Sequence, residues 1–248
     1  MSNSSLVSCT MLSPNHSGKR KSAIDRITIH CVVGQLSAES IGNCFKLPSR
    51  NASCNYGIGR EGRVVLVVDE ANRSWCSSSS SNDNRAVTIE CASDLYSPYA
   101  FNSVVFDKLV DLCVDICKRN GKSKLLWIDD KYKALAYKPK DNEMLITVHR
   151  WFANKECPGN WLMSKMGILE SRVNKKLYTH STNTSTSFLV KIKAKTLNVM
   201  KGAGSNYNVV KKVKKNDVYT IVEVKGKWGK LKSGIGWINI SSSKVTKL

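Results

Sequence analysis

The segment HRWFANKECPGNW, residues 149–161, places three chemically capable side chains close together. His149 offers an imidazole, Lys155 an ammonium group and Cys157 a thiol, and a Pro-Gly pair closes the segment. His30 supplies a further imidazole near the end of the apolar run RITIHC at 26–31. Two imidazoles and one thiolate give zinc three protein ligands and leave one position for water, as in catalytic zinc sites. The alternative is that these histidines are ordinary core residues and Cys157 a small buried hydrophobe.

Three more residues fit hydrolysis of an amide around such an ion. Glu90 ends the apolar run AVTIE, where a carboxylate needs a partner or a purpose, and it could act as a general base. Lys155 and Tyr56 could each stabilise the oxyanion that forms at an amide carbonyl. The alternatives are a salt bridge from Glu90 to Arg85 or Lys155, and a stacked surface aromatic for Tyr56.

GIGREG at 57–62 matches the pattern of a dinucleotide-binding turn but lacks its context. That turn needs a strand before it and a helix after it. Here a loop-like stretch precedes the glycines and the strand-like RVVLVV follows them. We therefore expect a turn into a hairpin.

Composition limits the classes of function. The net charge of +20 predicts an anionic partner, either an acidic polymer or nucleic acid. The 248-residue chain has no apolar run long enough to span a bilayer, and its first residues do not resemble a signal peptide. Nine cysteines without a CxxC pair favour reduced thiols and cytoplasmic residence.

The pattern of apolar residues predicts an α/β domain over residues 25–170, after an N-terminal arm at 1–24. Its strands are expected at 26–31, 63–68 and 86–91. Helices are expected from Ser37, over 103–119, and from Asn160 onward.

A Ser/Thr/Asn-rich stretch at 171–187 reads as a linker. Beyond it, residues 188–248 show short alternating runs with turn signals, which predict a small β-barrel. This region holds 14 Lys and 2 Asp or Glu, so it carries +12 of the net charge. It is therefore the more electropositive part of the chain.

The order ITIHC, NYGIGREGRVVLVV, Trp75, NRAVTIE and HRWFANKECPG resembles the type-2 N-acetylmuramoyl-L-alanine amidases, a family that includes phage endolysins and peptidoglycan recognition proteins. The resemblance spans about residues 25–165. It implies a central mixed β-sheet flanked by helices, with one zinc ion held by His30, His149 and Cys157. It further implies Glu90 as the base, with Lys155 and Tyr56 polarising the scissile carbonyl. Cys31 and Cys76 stand where many members have histidines.

The C-terminal pieces LNVMKGAGSNYNVV, WGKL and GWI resemble bacterial SH3-like cell-wall-binding domains. This resemblance implies wall-binding or framework roles for four residues, which are Asn198, Tyr207, Trp228 and Trp237. The alternative for both tryptophans is a place in the core.

The resemblance implies a zinc-dependent peptidoglycan hydrolase that cleaves the amide between N-acetylmuramic acid and L-alanine. We expect a phage endolysin of a Gram-positive host, kept in the host cytoplasm before lysis, that binds peptidoglycan and anionic wall polymers without nucleic-acid binding or membrane insertion. The alternatives are a bacterial autolysin, a non-catalytic peptidoglycan-binding protein, or a nucleic-acid-binding protein.

Overall fold

The computed structural model of the protein describes residues 2–181 and 187–248. The chain divides into two compact units, Met1–Leu177 and Tyr178–Leu248. No helix in these described ranges is long and apolar enough to cross a membrane.

The first unit alternates strands and helices along the chain. Its strands are β1 (Val7–Thr10), β2 (His16–Lys19), β3 (Arg26–Cys31), β4 (Tyr56–Ile58), β5 (Val64–Leu66), β6 (Asn72–Ser74), β7 (Ala86–Cys91), β8 (Lys124–Leu126) and β9 (Glu143–Val148). Its α-helices are α1 (Ala38–Cys44), α2 (Ser80–Arg85), α3 (Ser103–Arg119), α4 (Lys131–Ala136) and α5 (Asn160–Ser181), with 3-10 turns at Pro48–Arg50 and His149–Trp151.

Seven of these strands form one sheet in the order β1-β5-β4-β7-β3-β9-β8. All neighbours are parallel except β4 and β5, which form the antiparallel hairpin around the glycine turn. β2 and β6 make a separate two-stranded ribbon. The predicted mixed sheet flanked by helices is confirmed, and GIGREG is a hairpin turn.

The two faces of the sheet differ in chemistry. β3 and β7 run parallel in register, with Ile29 opposite Ile89 and His30 opposite Glu90. Because side chains alternate along a strand, the isoleucines share one face and the two polar residues share the other. The isoleucine face packs against apolar residues of α3 and α5, and α1 packs against the polar face through Ile41. The site face is therefore set by strand register.

The predicted helix over 103–119 forms with those bounds as α3. Asn102 caps it by accepting the Val105 N–H, and the chain turns at Gly121 in a left-handed conformation. Its apolar stripe is buried over the isoleucine face. The helix predicted from Ser37 is also present, with Ser37 as its N-cap.

The prediction that residues 1–24 form an arm outside the α/β domain is wrong, because this N-terminal segment belongs to the sheets of the first unit. β1 pairs in parallel with β5 and extends the main sheet, while β2 pairs with β6. Asn3 adds two hydrogen bonds to the loop after β5: its amide donates to Asp69 Oδ1 at 2.7 Å, and its carbonyl accepts the Glu70 N–H at 2.9 Å. This segment is part of the first unit.

The linker expected at 171–187 is wrong over its first part. α5 continues through Ser181, because Val173 and Leu177 extend the buried stripe formed by Leu162, Met166 and Leu169. Residues 182–186 of the expected linker lie outside the described residues.

The second unit is entirely β-structured over 187–248. Its strands are β10 (Phe188–Ile192), β11 (Thr196–Met200), β12 (Val209–Lys214), β13 (Val218–Lys225), β14 (Trp228–Leu231), β15 (Trp237–Asn239) and β16 (Val245–Lys247). They form one sheet in the order β12-β11-β15-β14-β13-β10-β16, with antiparallel neighbours. A core of alternating aliphatic residues holds it together. The predicted small all-β domain is confirmed.

Candidate active site

Three possible metal ligands meet at the carboxyl ends of the central strands. His30 is the next-to-last residue of β3, and His149 follows the last residue of β9. Cys157 lies on the loop that returns from His149, where Arg150 N–H donates to the Cys157 carbonyl at 3.0 Å. In open α/β sheets this edge is where ligands bind. The strand order therefore brings together residues that are 127 positions apart in sequence.

The geometry of this group fits zinc. One ligand atom from each of His30, His149 and Cys157 lies within 4.8 Å of the other two. The His30 Nδ1 atom is 3.4 Å from Cys157 Sγ. A tetrahedral ion with bonds of about 2.1 Å to nitrogen and 2.3 Å to sulfur would hold the two atoms ~3.6 Å apart. The donor types and their spacing are thus those of a zinc site with an open fourth position.

The protonation of these groups follows from their surroundings. Burial and the neighbouring His149 lower the pKa of His30 well below its ordinary value, so its imidazole is neutral and can bind a metal. A hydrogen bond with Cys31, together with burial, raises the pKa of the Cys157 thiol well above its usual range. Metal binding to Cys157 therefore has to release a proton.

The serine-rich loop that begins at Ser77 contacts His149. Ser78 has a positive φ of 62° and places its hydroxyl 3.1 Å from His149 Nε2. Asp83 fixes this loop by accepting the backbone N–H groups of Cys76 at 3.0 Å and Ser77 at 3.2 Å. Because Ser78 engages Nε2, the Nδ1 atom of His149 is left for a metal.

Glu90 lies beside His30 on the same face of the sheet. Its Oε1 atom is 3.9 Å from Cys76 Sγ, and its Oε2 atom is buried without a hydrogen-bond partner among the described residues. Burial raises the pKa of Glu90 to about 7, against the opposing charge of Arg50. A carboxylate with that pKa can take and return a proton near neutral pH. The alternative salt bridge to Arg85 does not form, since Arg85 pairs with Asp25.

A second possible metal-binding group is His30, Cys76 and Glu90. It shares His30 with the first group, and it would occupy the carboxylate that is placed to act as a base. The group that contains His149 and Cys157 leaves that carboxylate free, and it is therefore the stronger candidate for a metal site.

A cavity of about 480 Å³ opens beside the ligand group. His149 and Lys155 both line it, and the charge of Lys155 adds to burial in lowering the pKa of His149. An ammonium group in the cavity lining can stabilise negative charge that develops on a carbonyl oxygen bound in the cavity.

Tyr56 does not lie at this site, which corrects the expected carbonyl-polarising role. In register it pairs with Ile89, so it lies on the isoleucine face, away from His30 and Glu90. Its side chain is fully buried. The Tyr56 hydroxyl donates to Glu70 Oε2 at 2.8 Å, and the hydroxyl oxygen accepts the Ser4 N–H at 3.0 Å. A substrate carbonyl cannot reach it there.

Sequence reasoning missed several residues at the cavity. Cys76 stands out in the sequence only as a departure from the family pattern, and the run of serines from 77 to 81 does not predict a hydrogen bond to His149. Arg50 and Arg73 also line the cavity. No periodic pattern marks these residues, since they come from a 3-10 turn, the β2–β6 ribbon and loops.

The four candidate wall-binding residues have different surroundings in the second unit. Asn198 is exposed on β11, and Tyr207 is 48% exposed with its ring over Gly202. Trp237 is buried, with Lys225 and Lys230 within 6 Å of its ring centroid, and Trp228 is partly buried at the start of β14. Asn198 and Tyr207 are thus the more accessible pair.

Comparison with known proteins places these features in a family. The sequence pattern of the N-acetylmuramoyl-L-alanine amidases matches residues 20–160, more than half of the chain. No curated protein matches the chain in sequence.

One solved structure of low sequence identity shares the fold with a TM-score above 0.5, and two others are similar over a comparable part of the chain. The hydrolase AmiA of Staphylococcus aureus, solved with its ligand, is 12% identical and has a TM-score of 0.51 over 69% of this chain and 83% of its own. A mutant endolysin from Bacillus subtilis is 13% identical, with a TM-score of 0.49 over 67% of this chain and 99% of its own. The endolysin LysCS from Clostridium intestinale is 13% identical, with a TM-score of 0.43 over 65% and 96%.

The matched region contains every element that carries the site, from β3 with His30 to the loop with Cys157. The chain therefore belongs to the N-acetylmuramoyl-L-alanine amidase family.

Proposed function

We propose that this amidase is zinc-dependent, with one ion per chain held by His30, His149 and Cys157. The observation that carries the proposal is the convergence of two imidazoles and one thiol within 4.8 Å at the carboxyl edge of the sheet. A bound zinc ion would supply water of lowered pKa and would polarise the scissile carbonyl. The bond cleaved is the amide between N-acetylmuramic acid and the L-alanine of the stem peptide.

The chain's own residues would handle the protons and the charge. Glu90 would accept the proton of the attacking water and return it to the leaving amine, for which a pKa of about 7 is suited. Lys155, at the cavity wall, would stabilise the negative charge that develops on the carbonyl oxygen. His149 would be held in orientation by Ser78.

Digestion of purified cell wall tests the activity and the bond together. We expect new N-terminal alanine without new reducing sugar ends, and loss of this product after treatment with a chelator. Cys157→Ser should lower the zinc content measured by elemental analysis. A rise in reducing ends would instead identify a glycosidase, and a zinc content near zero in active protein would contradict the metal assignment.

Substitution of the base provides a sharper test. Glu90→Gln should keep one zinc per chain and reduce wall lysis by ~10²-fold or more, because proton transfer by a positioned group contributes about that factor. Glu170→Gln, on α5, is the matched control and should lyse walls normally. Near-normal lysis by Glu90→Gln would remove Glu90 from the mechanism.

We also propose that the second unit is an SH3-like module that binds the wall through Asn198 and Tyr207, with Trp228 and Trp237 in supporting positions. Its excess of lysines supports attraction to anionic wall polymers rather than a role for nucleic acid, since the first unit acts on the wall. Tethering would raise the concentration of the enzyme at an insoluble substrate.

We further propose that the protein is a phage endolysin of a Gram-positive host, stored in the host cytoplasm until the membrane is permeabilised. All nine cysteines are free thiols, which suits a reducing compartment. Host cells that express the chain should stay intact until a permeabilising agent is added and then lyse rapidly. Lysis without that agent would favour an exported autolysin.

A further inference from the structure

The cavity beside His149 is strongly cationic. Besides His149 it is lined by Arg50, Arg73 and Lys155, together with uncharged residues such as Trp75 and Ser78. Its one acidic lining residue is Asp83, whose carboxylate is already used by the backbone N–H groups of the serine-rich loop. Three cationic side chains thus face one carboxylate, so the lining of the cavity keeps an excess of positive charge.

Arg50 lacks the carboxylate partner that several arginines of the first unit have. Arg63, Arg85, Arg119 and Arg172 each pair with a carboxylate, whereas Arg50 forms no ion pair with any described residue. Its guanidinium lies over the Phe45 ring, 5.9 Å from the ring centre, within the range of a cation–π contact. An unpaired guanidinium held on a ring next to an active site is available to bind an anion.

The backbone that carries Arg50 is fixed. Arg50 ends the 3-10 turn that begins at Pro48, and the next residue, Asn51, has a left-handed conformation with φ of 50°. The side chain of Asn15 donates to the Leu47 carbonyl at 2.8 Å and ties this turn to the N-terminal segment. The guanidinium is therefore presented from a defined position.

Arg73 is held by a different contact. Its guanidinium donates to the hydroxyl of Ser17 on β2, and the indole N–H of Trp75 donates to the same oxygen at 2.6 Å. This bond leaves the remaining N–H groups of the guanidinium for a ligand. Two arginines from separate elements thus border the cavity that leads to His149.

Guanidinium groups bind carboxylates through two parallel hydrogen bonds, which lysine cannot match. The leaving half of the amidase substrate is a peptide, and a peptide can carry carboxylates close to the amide that is cleaved. We infer that Arg50 and Arg73 form a carboxylate-binding subsite for the stem peptide, so that the enzyme distinguishes a free carboxylate near the scissile amide from its amidated form. This inference rests on the proposed site at His149 and Cys157.

Two soluble substrates test the inference. Both are synthetic muramyl-L-alanyl peptides that differ only in the second peptide residue, whose carboxyl group is either free or a primary amide. We expect kcat/KM, measured as release of N-terminal alanine, to be about 10- to 100-fold higher for the free acid, the range expected for a charge-assisted hydrogen bond. Arg50→Gln should bring this ratio close to one, and Arg73→Gln should lower it as well. The charge of Arg50 also acts on Glu90, but that effect is common to both substrates and cancels in the ratio.

Two control variants distinguish an effect of the positive charge at position 50 from an effect on the fold. Arg60→Gln, an exposed arginine outside the cavity lining, should keep the full preference. Arg50→Lys should restore part of it, because a point charge remains. Thermal unfolding of each variant should match that of the unchanged protein.

Each outcome has a distinct meaning. Equal rates on both substrates in the unchanged protein, or a preference that persists in the Arg50→Gln Arg73→Gln double variant, would overturn the subsite. A loss in Arg50→Gln that is equal for the two substrates would leave the preference intact, would be explained by the effect of Arg50 on Glu90 or on the fold, and would overturn the subsite too. Cleavage of neither substrate by the unchanged protein would instead contradict the proposed function on which the subsite rests.

Discussion

Tyr56 belongs to a buried polar cluster on the isoleucine face of the sheet. The fully buried carboxylate of Glu70 accepts from Tyr56, from Asn120 at 3.0 Å, and from two guanidinium nitrogens of Arg119 at 2.9 and 2.7 Å. These bonds satisfy a charge that would otherwise be costly to bury. The tyrosine hydroxyl therefore contributes to stability rather than to catalysis.

Tyr56→Phe distinguishes the two roles. Loss of one hydrogen bond to a buried carboxylate should lower the free energy of unfolding by about 1–3 kcal/mol. The kcat for wall cleavage, measured well below the unfolding temperature, should stay within about twofold, because no group that faces the substrate changes. A fall in kcat of ~10²-fold with unchanged stability would return Tyr56 to the active site.

Ser78→Ala tests the support of His149. Removal of the hydroxyl frees the imidazole to rotate, and loss of such outer contacts weakens metal affinity by about 10- to 100-fold. The measurement is zinc affinity by competition with a chromogenic chelator. Ser80→Ala, at the start of α2, is the control and should bind zinc normally; equal affinities for all three proteins would show that Ser78 does not position the ligand.

At the level of single residues, the sequence predicted the candidate site where residue types and their spacing identify possible metal ligands. His149, Lys155 and Cys157 lie on one short segment, and His30 ends a strand, so their meeting could be expected. The face on which Tyr56 lies could not, because it depends on the register of β4 against β7, and a shift of one residue exchanges the faces. Ser78 could not be expected either, since a run of serines does not reveal which hydroxyl a loop will direct inward.

At the level of secondary-structure elements, the main feature that the sequence did not predict is the pairing of the N-terminal segment with the main sheet. β1 covers the edge of β5, and the residues before it bond to the loop after β5 and to Arg119 through the Ser2 carbonyl. A strand of four residues with a Ser and a Thr gives little apolar periodicity, so its pairing partner decides its structure.

Asn3→Ala measures how firmly this segment is held. Two hydrogen bonds are lost, one of them to the backbone N–H of Glu70, and we expect the free energy of unfolding to fall by about 1–2 kcal/mol. Ser2→Ala is the control, because Ser2 contributes its backbone carbonyl and should change stability by less than about 0.5 kcal/mol. Equal stability of both variants in denaturant titrations would mean that the segment is held by β1 pairing alone.

For the C-terminal part of α5, by contrast, the sequence does contain a pattern that predicts a helix. The run SRVNKKLYTHS is polar overall, yet Val173 and Leu177 continue the four-residue spacing from Leu169. Composition suggested a linker, while the narrow apolar stripe was sufficient for a helix because it packs against the core of the first unit. The helices α1 and α3, with wider stripes and clear caps, were predicted well.

At the scale of the whole chain, charge is divided unevenly. Residues 188–248 carry +12 of the net +20. In this region a cavity of about 190 Å³ is lined by Lys211, Lys232 and Tyr219, among other residues. Charge at the surface acts over a distance that shrinks from about 10 Å in 0.1 M salt to about 3 Å in 1 M salt. Retention on an anionic wall should therefore depend strongly on salt.

Co-sedimentation with purified walls checks this, with Glu90→Gln as the background so that the walls stay intact. Bound protein should fall about tenfold or more between about 0.1 M and 1 M NaCl. Replacing Lys211, Lys212 and Lys232 by Gln should weaken retention, whereas replacing the exposed Lys131, Lys133 and Lys138 of the first unit should not. Salt-independent retention would show that uncharged contacts hold the wall.

The separation of His30 from Cys157 by 127 positions also constrains when the enzyme can mature. While the ribosome is still making the chain, Cys157 is absent until nearly all of the first unit has been synthesised. A nascent or prematurely terminated product that stops before Cys157 would have a histidine pair without its sulfur partner. No shorter N-terminal fragment therefore contains the complete candidate site.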